Sequence, residues 1–288
     1  MKPKIIAEIG CNHKGELETA FKMMKIAKEF CNIDIVKFQK RNPEELLSKE
    51  DYNSKHPVPE NSYGNTYGQH REFLEFNIDQ HKELKKYAEK INITYSTSIW
   101  DITSAKEIVE LNPQFVKIPS ATNLHFDLLN YLCNQFEGEI HISTGMTTKI
   151  EIEEIVNFFE ERKRNLDLVL YNCTSGYPVQ FSDVCLLEIS RLIENYKDRV
   201  KHIGFSGHHL GIAIDIAAIT LGAKWIERHF TLDRTWKGTD HAASLEPDGM
   251  RKLSRDINNV YKAIQYKTPD ILDVEKVQRK KLKWINEL

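Results

Sequence analysis

Eight short apolar runs, each closed within a residue or two by groups that carry charge or form hydrogen bonds, constrain this chain most. They are Ile5–Ile9, Ile33–Gln39, Ile93–Thr97, Phe115–Ile118, Glu139–Ser143, Leu168–Tyr171, His202–Phe205 and Lys224–Glu227. Between and after them, apolar residues recur at helical spacing: Glu16–Phe30, Ile78–Lys90, Ile102–Leu111, Phe126–Cys133, Ile150–Arg162, Leu186–Tyr196, Ile212–Leu221 and Asp248–Tyr266. Short continuous apolar runs read as strands buried on both faces, and strict strand–helix alternation implies a parallel sheet. Eight such units in 288 residues, with no break in composition, predict an α/β fold of the closed (β/α)8 barrel type. The competing architecture is a doubly wound open sheet. That fold favours a glycine-rich phosphate loop after the first strand, where this chain has Cys11-Asn12-His13-Lys14-Gly15.

The expected organisation is a barrel over residues 1–268, interrupted by a long irregular insertion at about 40–76 rich in Asn, Pro, Gly and Tyr. A charged stretch, 269–288, reads as a final helix or the start of a linker. Hydrophobic residues at 41% supply enough material for one large core. A net charge of -2 gives no reason to expect nucleic acid or an anionic membrane surface as partner. No apolar run is long enough to span a bilayer or to serve as a secretory leader. The five cysteines are odd in number and lack CxxC spacing, which points to reduced thiols and a cytoplasmic protein.

In a parallel barrel the active site gathers at the carboxyl ends of the strands. Those ends carry Glu8, Lys37 with Gln39, Thr97, Lys117 with Ser120, Ser143, Asn172, Ser206 with His208, and Glu227 to His229. The last strand runs straight into a loop dense in ionisable groups, Arg228, His229, Asp233, Arg234, Lys237, Asp240 and His241. Scattered singly, such residues describe a solvated surface; converging on every strand end, they describe an enzyme site. Lysines at strand mouths either anchor phosphate and carboxylate or form Schiff bases. The pair Lys37 and Lys117, with Ser143, Ser206 and nearby glycine amides, favours an anionic ligand such as a phosphate ester. His208 and His229 end neighbouring strands and can meet at one divalent metal, with Glu8 and Asp240 as oxygen donors. His13, His70, His209 and His241 compete for that role. Arg71, in the run Tyr67–Arg71 of the insertion, is a candidate lid residue or a packed surface arginine.

The motifs AEIGCNHKG (7–15), VKFQ (36–39), TYGQHREFLEF (66–76), KIPSATN (117–123), STGM (143–146), CTSGYP (173–178), GFSGHHLGIAI (204–214) and ERHFTLDRTWKGTDHAASLEP (227–247) resemble those of the N-acetylneuraminate (sialic acid) synthases, in that family's order. The resemblance covers nearly the whole chain. It implies condensation of phosphoenolpyruvate with the open-chain aldehyde of an N-acylated hexosamine, N-acetylmannosamine or a related sugar, giving a nine-carbon sialic acid and phosphate. The same chemistry on a phosphorylated or 2,4-diacetamido hexose is the near alternative. A barrel that binds a sugar or anion without turnover is the alternative from another class.

By this resemblance His208 and His229 ligate Mn2+ or Mg2+, which polarises the aldehyde. Lys37, Lys117, Ser143 and Ser206 hold phosphoenolpyruvate, with Ser120 and Asn172 beside it; Thr97, at a strand end, is a further substrate-binding candidate. Gln39, Tyr177 and Asp240 bind the sugar, and Glu8 handles a proton or the attacking water. Family members are dimers, which implies a homodimer. Two departures stand out. Thr122 occupies the position of an acidic sugar contact, and the resemblance stops at Leu288, about where the linker to the family's C-terminal antifreeze-like domain is expected. The arginine that this domain places in the partner's site is therefore expected from a segment beyond the sequence, from a separate protein or from elsewhere in this chain. Arg71 and Arg234 are candidates to supply that cation.

Overall fold

The computed structural model describes residues 1–284. Its eight strands are β1 (Lys4–Gly10), β2 (Ile35–Lys40), β3 (Thr94–Ile99), β4 (Phe115–Ile118), β5 (Glu139–Ser143), β6 (Leu168–Cys173), β7 (His202–Gly207) and β8 (Trp225–His229). They pair in sequence order into a closed barrel, all pairings parallel. Closure is made by β1 against β8, with Lys4 opposite Trp225 and Glu8 opposite His229. The predicted (β/α)8 barrel is the observed one.

Side-chain parity explains why one end of this barrel is greasy and the other ionic. Alternate residues along a strand face opposite sides. Ala7, Val36, Phe38, Val116, Ile142, Leu170, Phe205 and Ile226 point outward and pack with the helices in one continuous core. The intervening residues point into the barrel. At its amino-terminal half these are Ile6, Ile35, Phe115, Val169, Tyr171 and Trp225, a separate apolar plug. Two residues further along, the same inward rows carry Glu8, Lys37, Lys117, Cys173 and Glu227. Gly204 admits the plug: a Cβ there would lie 2.7 Å from the Tyr171 ring. The floor of the site is therefore apolar and buried, which strengthens every charge interaction built on it.

The outer helices begin where the sequence provides caps. Asn77 with Gln80, and Thr148 with Glu151, form capping boxes for helices Ile78–Lys90 and Lys149–Glu161. The same chemistry corrects the expectation of an irregular insertion at 40–76. Asn42, Ser48 and Thr66 each accept a backbone N–H and start the short helices Pro43–Leu46, Lys49–Asn53 and Tyr67–Leu74. Beyond helix Pro247–Ala263, a further helix spans Asp273–Leu282. Residues 285–288, the end of the charged stretch 269–288, lie outside the described residues. No helix among the described residues is long and apolar enough to cross a membrane.

Candidate active site

A cavity of about 460 Å3 opens at the carboxyl ends of the strands. At its base lies a buried ionic network. Lys117, on β4, donates to Glu227 Oε1 on β8 at 2.5 Å and reaches Ser206 Oγ at 3.4 Å. Lys37, on β2, donates to Ser98 Oγ at 2.5 Å, lies 3.7 Å from Glu227 Oε2 and pairs with Glu8. Gln39 donates to Glu8 Oε1 at 3.4 Å. The lysines and glutamates are each less than 5% exposed.

The two carboxylates sharing Lys37 are driven apart. Burial pushes Glu8 up to about 7, with Lys37 opposing and the Glu227 charge reinforcing the shift. Glu227 suffers the same burial, but Lys117 and Lys37 together more than reverse it and hold it at about 2. One carboxylate is thus a fixed anion and the other is poised to exchange a proton near neutrality, the arrangement that separates acid–base roles in active sites.

Above the network, the His208 and His229 rings lie 5.4 Å apart, with the Tyr177 ring 4.3 Å from His208. His208 Nδ1 lies 2.9 Å from the Thr174 carbonyl, so it carries the proton and leaves Nε2 as a lone-pair donor. Burial, then the neighbouring His229, hold His208 down to about 3, keeping it neutral. His229 Nδ1 is buried without a hydrogen-bond partner among the described residues, 3.9 Å from Asp240 Oδ2. These donors fit a divalent cation with further positions left to water or substrate oxygen. Among the described residues no set of three His, Cys, Asp or Glu side chains forms a complete metal cluster.

On the β4–β7 side the cavity wall is hydroxylic. Gly145 N donates to Ser120 Oγ at 3.0 Å. A Cβ on Gly145 would come within 2.5 Å of Ser175 Oγ and 2.7 Å of Ser120 Oγ, so only glycine lets these hydroxyls converge. With Ser143, Ser206 and Lys117, they make a donor-rich surface for an anion.

Of the expected site residues, all line the cavity except Thr97 and Asn172. Strand parity gives the correction. β3 runs on to Ile99, so Ser98 faces inward, while Thr97 pairs in register with the outward residues Phe38 and Val116. Asn172 likewise sits opposite outward-facing Phe205 and reaches Cys185 O at 3.5 Å; Cys173 and Ser175 take the cavity positions. Glu227, named only as a strand end, is the hub of the network. Counting by two from Trp225 finds it.

Three of the four rival histidines are otherwise engaged. His13 stacks on Phe76 at 3.9 Å, His209 Nε2 lies 3.3 Å from Asp215 Oδ2, and His241 Nδ1 lies 2.7 Å from Thr231 Oγ1. His70 does line the cavity, as does Arg71; Arg234 instead donates to the Ala242 carbonyl at the surface. Thr122 is not on the cavity wall, and its buried hydroxyl has no hydrogen-bond partner among the described residues.

Fold and site together define a (β/α)8 barrel enzyme whose cavity sets two buried lysines beneath a pair of converging histidines. The chain belongs to the NeuB family, whose model matches residues 23–268. It is 39% identical over 282 residues to the human N-acetylneuraminate-9-phosphate synthase, covering 96% of this chain and 76% of that one. It is 34% identical to the N,N'-diacetyllegionaminic acid synthase of Campylobacter jejuni, over 91% of this chain and 78% of that one. Among solved structures, the sialic acid synthetase of Leptospira borgpetersenii, crystallised with citrate, superposes with a TM-score of 0.82 at 27% identity. That match covers 99% of this chain and 94% of the Leptospira chain.

Proposed function

We propose that this chain condenses phosphoenolpyruvate with the open-chain aldehyde of an N-acylated hexosamine, forming a nine-carbon nonulosonate and releasing phosphate. The observation that carries the reading is the pair of buried lysines from β2 and β4 converging on Glu227. A site for an uncharged sugar alone has no use for two desolvated ammonium groups, whereas phosphoenolpyruvate brings a phosphate and a carboxylate to them. Relatives bearing sialic, legionaminic and pseudaminic acid synthase names support the same chemistry.

In this reading Lys117, Ser120, Ser143, Ser206 and the Gly145 amide hold phosphoenolpyruvate, and Lys37 steadies the charge that shifts as its C3 attacks the aldehyde. Gln39, Tyr177 and Asp240 orient the sugar. Glu8, with its raised pKa, takes the proton from the water that attacks C2. His208 and His229 would hold a divalent cation, Mn2+ or Mg2+, which supplies Lewis-acid polarisation of the aldehyde oxygen. Residues 1–268 act as the catalytic barrel, with 40–76 its site-covering insertion; the family match ending at 268 supports a division from the charged stretch that follows. The resemblance carries a homodimer with it. The five cysteines are all unpaired, which supports a reducing, cytoplasmic setting.

The test is phosphate release from phosphoenolpyruvate with Mn2+ and a panel of N-acetylmannosamine, its 6-phosphate and a 2,4-diacetamido hexose. Release that requires both metal and one sugar supports the synthase. Release without sugar, or none with any, contradicts it.

A further inference from the structure

The insertion contributes an end of the cavity that the condensation chemistry leaves unused. Arg71, on helix Tyr67–Leu74, donates to Tyr67 Oη at 2.7 Å and has no carboxylate partner among the described residues. Its guanidinium carbon lies 5.7 Å from the centre of the Trp100 ring, at the end of β3. Trp100 Nε1 is buried with no hydrogen-bond acceptor among the described residues. Arg41 lies on the same indole, 5.4 Å from its centre, but is already neutralised by Glu75.

Two histidines complete the arrangement. His56 Nδ1 accepts from Val58 N at 3.0 Å, and His70 Nδ1 accepts from Tyr63 N at 3.1 Å. An acceptor at Nδ1 in a neutral imidazole leaves the hydrogen on Nε2, so both rings are donors at their far nitrogen. The cavity's carboxylates, Glu8, Glu227 and Asp240, come from β1, β8 and the loop after β8. The insertion supplies one uncompensated guanidinium and a set of N–H donors.

We propose that Arg71, Trp100, His56 and His70 form an anion subsite for a phosphate monoester on the distal end of the sugar. The assignment rests on the synthase reading and selects a phosphorylated hexosamine from the substrates that reading allows. Arg71 and three neutral N–H groups match the oxygens of a phosphate, and an unphosphorylated sugar would leave the buried Trp100 Nε1 without an acceptor and the Arg71 charge without a counter-ion. The groups assigned to phosphoenolpyruvate, Lys37, Lys117 and the hydroxyls of β4 to β7, belong to the barrel strands and the turns after them and not to the insertion.

The experiment compares wild type, Arg71→Ala, Arg71→Lys and Trp100→Phe, each loaded with Mn2+, on N-acetylmannosamine 6-phosphate and on N-acetylmannosamine. Wild type is expected to prefer the 6-phosphate. Arg71→Ala should lower kcat/KM for the 6-phosphate by on the order of 10–100-fold, Arg71→Lys by less, and Trp100→Phe by several-fold. The KM for phosphoenolpyruvate should move less than threefold. A rise in that KM instead, or an equal loss for both sugars, overturns the subsite while leaving the synthase intact. If no sugar turns over, the synthase reading fails; calorimetric binding of N-acetylmannosamine 6-phosphate then decides the subsite. Equal affinity in wild type and Arg71→Ala overturns it.

Discussion

Lys117 on β4 reaches across the barrel to Glu227 on β8, donating to Oε1 at 2.5 Å, while the other oxygen of that carboxylate lies 3.7 Å from Lys37. One buried anion thus holds two ammonium groups within reach of the same ligand. Glu227→Gln keeps the shape and removes the charge. Breaking a buried pair from one side typically costs about 3–5 kcal/mol, because the surviving charges are left uncompensated. Inorganic phosphate should restore more of the lost stability in the variant than it adds to wild type, since it returns a counter-charge to the lysines. Thermal unfolding with and without phosphate reads this out. Equal stability of the two proteins would remove Glu227 from the hub.

His208→Ala and His229→Ala should each weaken Mn2+ binding by on the order of 100-fold or more while the circular dichroism spectrum stays that of wild type. Free Mn2+ measured by electron paramagnetic resonance gives the affinity without any turnover. Either variant binding Mn2+ as wild type does would exclude that histidine as a ligand.

Glu8 is expected to set the acidic limb of the pH profile. Burial raises it to about 7, whereas Glu227, near 2, stays ionised throughout the working range. If Glu8 acts as a base, kcat/KM falls as pH drops below about 7 and the fall disappears in Glu8→Gln, which retains only residual activity. Stability runs the other way. A carboxyl with a raised folded pKa contributes stability that is complete below its unfolded value and lost as pH rises through the folded one. Between pH 5 and 8 wild type should therefore lose stability relative to Glu8→Gln, by on the order of 2–3 kcal/mol. Parallel unfolding curves for the two proteins across that range would contradict the shift.

Asp215 anchors the loop that carries His208. Arg228 donates to Asp215 Oδ2 at 2.5 Å, to Gly211 O at 2.8 Å and to His209 O at 2.6 Å, with both side chains fully buried. Asp215→Ala leaves that guanidinium unpaired and should cost about 3–5 kcal/mol in urea unfolding. A cost below about 1 kcal/mol would mean the loop holds itself.

The barrel was legible in the sequence because each strand is a short apolar run with its own polar stop, and the lysines and histidines follow those stops. What depended on the last residue or two of a strand was not. Thr97 and Ser98 differ by one position, yet one faces the helices and the other accepts from Lys37. Asn172 yields to Ser175 for the same reason, since strand β6 continues to Cys173 before turning. Glu227 was hidden among the charges that follow it, and only the inward row through Trp225 separates it from the surface loop. The insertion looked irregular because its helices are four to eight residues long, too short for a periodic signal. Thr66 and Ser48 were their visible caps.

Carbon–carbon bond formation is the central claim, and phosphoenolpyruvate labelled with 13C at C2 tests it directly. Incubated with the Mn2+-loaded protein and the preferred sugar, the label should appear in a nine-carbon acid whose mass equals sugar plus phosphoenolpyruvate plus water minus phosphate. One phosphate should be released per acid formed, with no free pyruvate. Labelled pyruvate as the only product would show a barrel that hydrolyses phosphoenolpyruvate without joining it to a sugar.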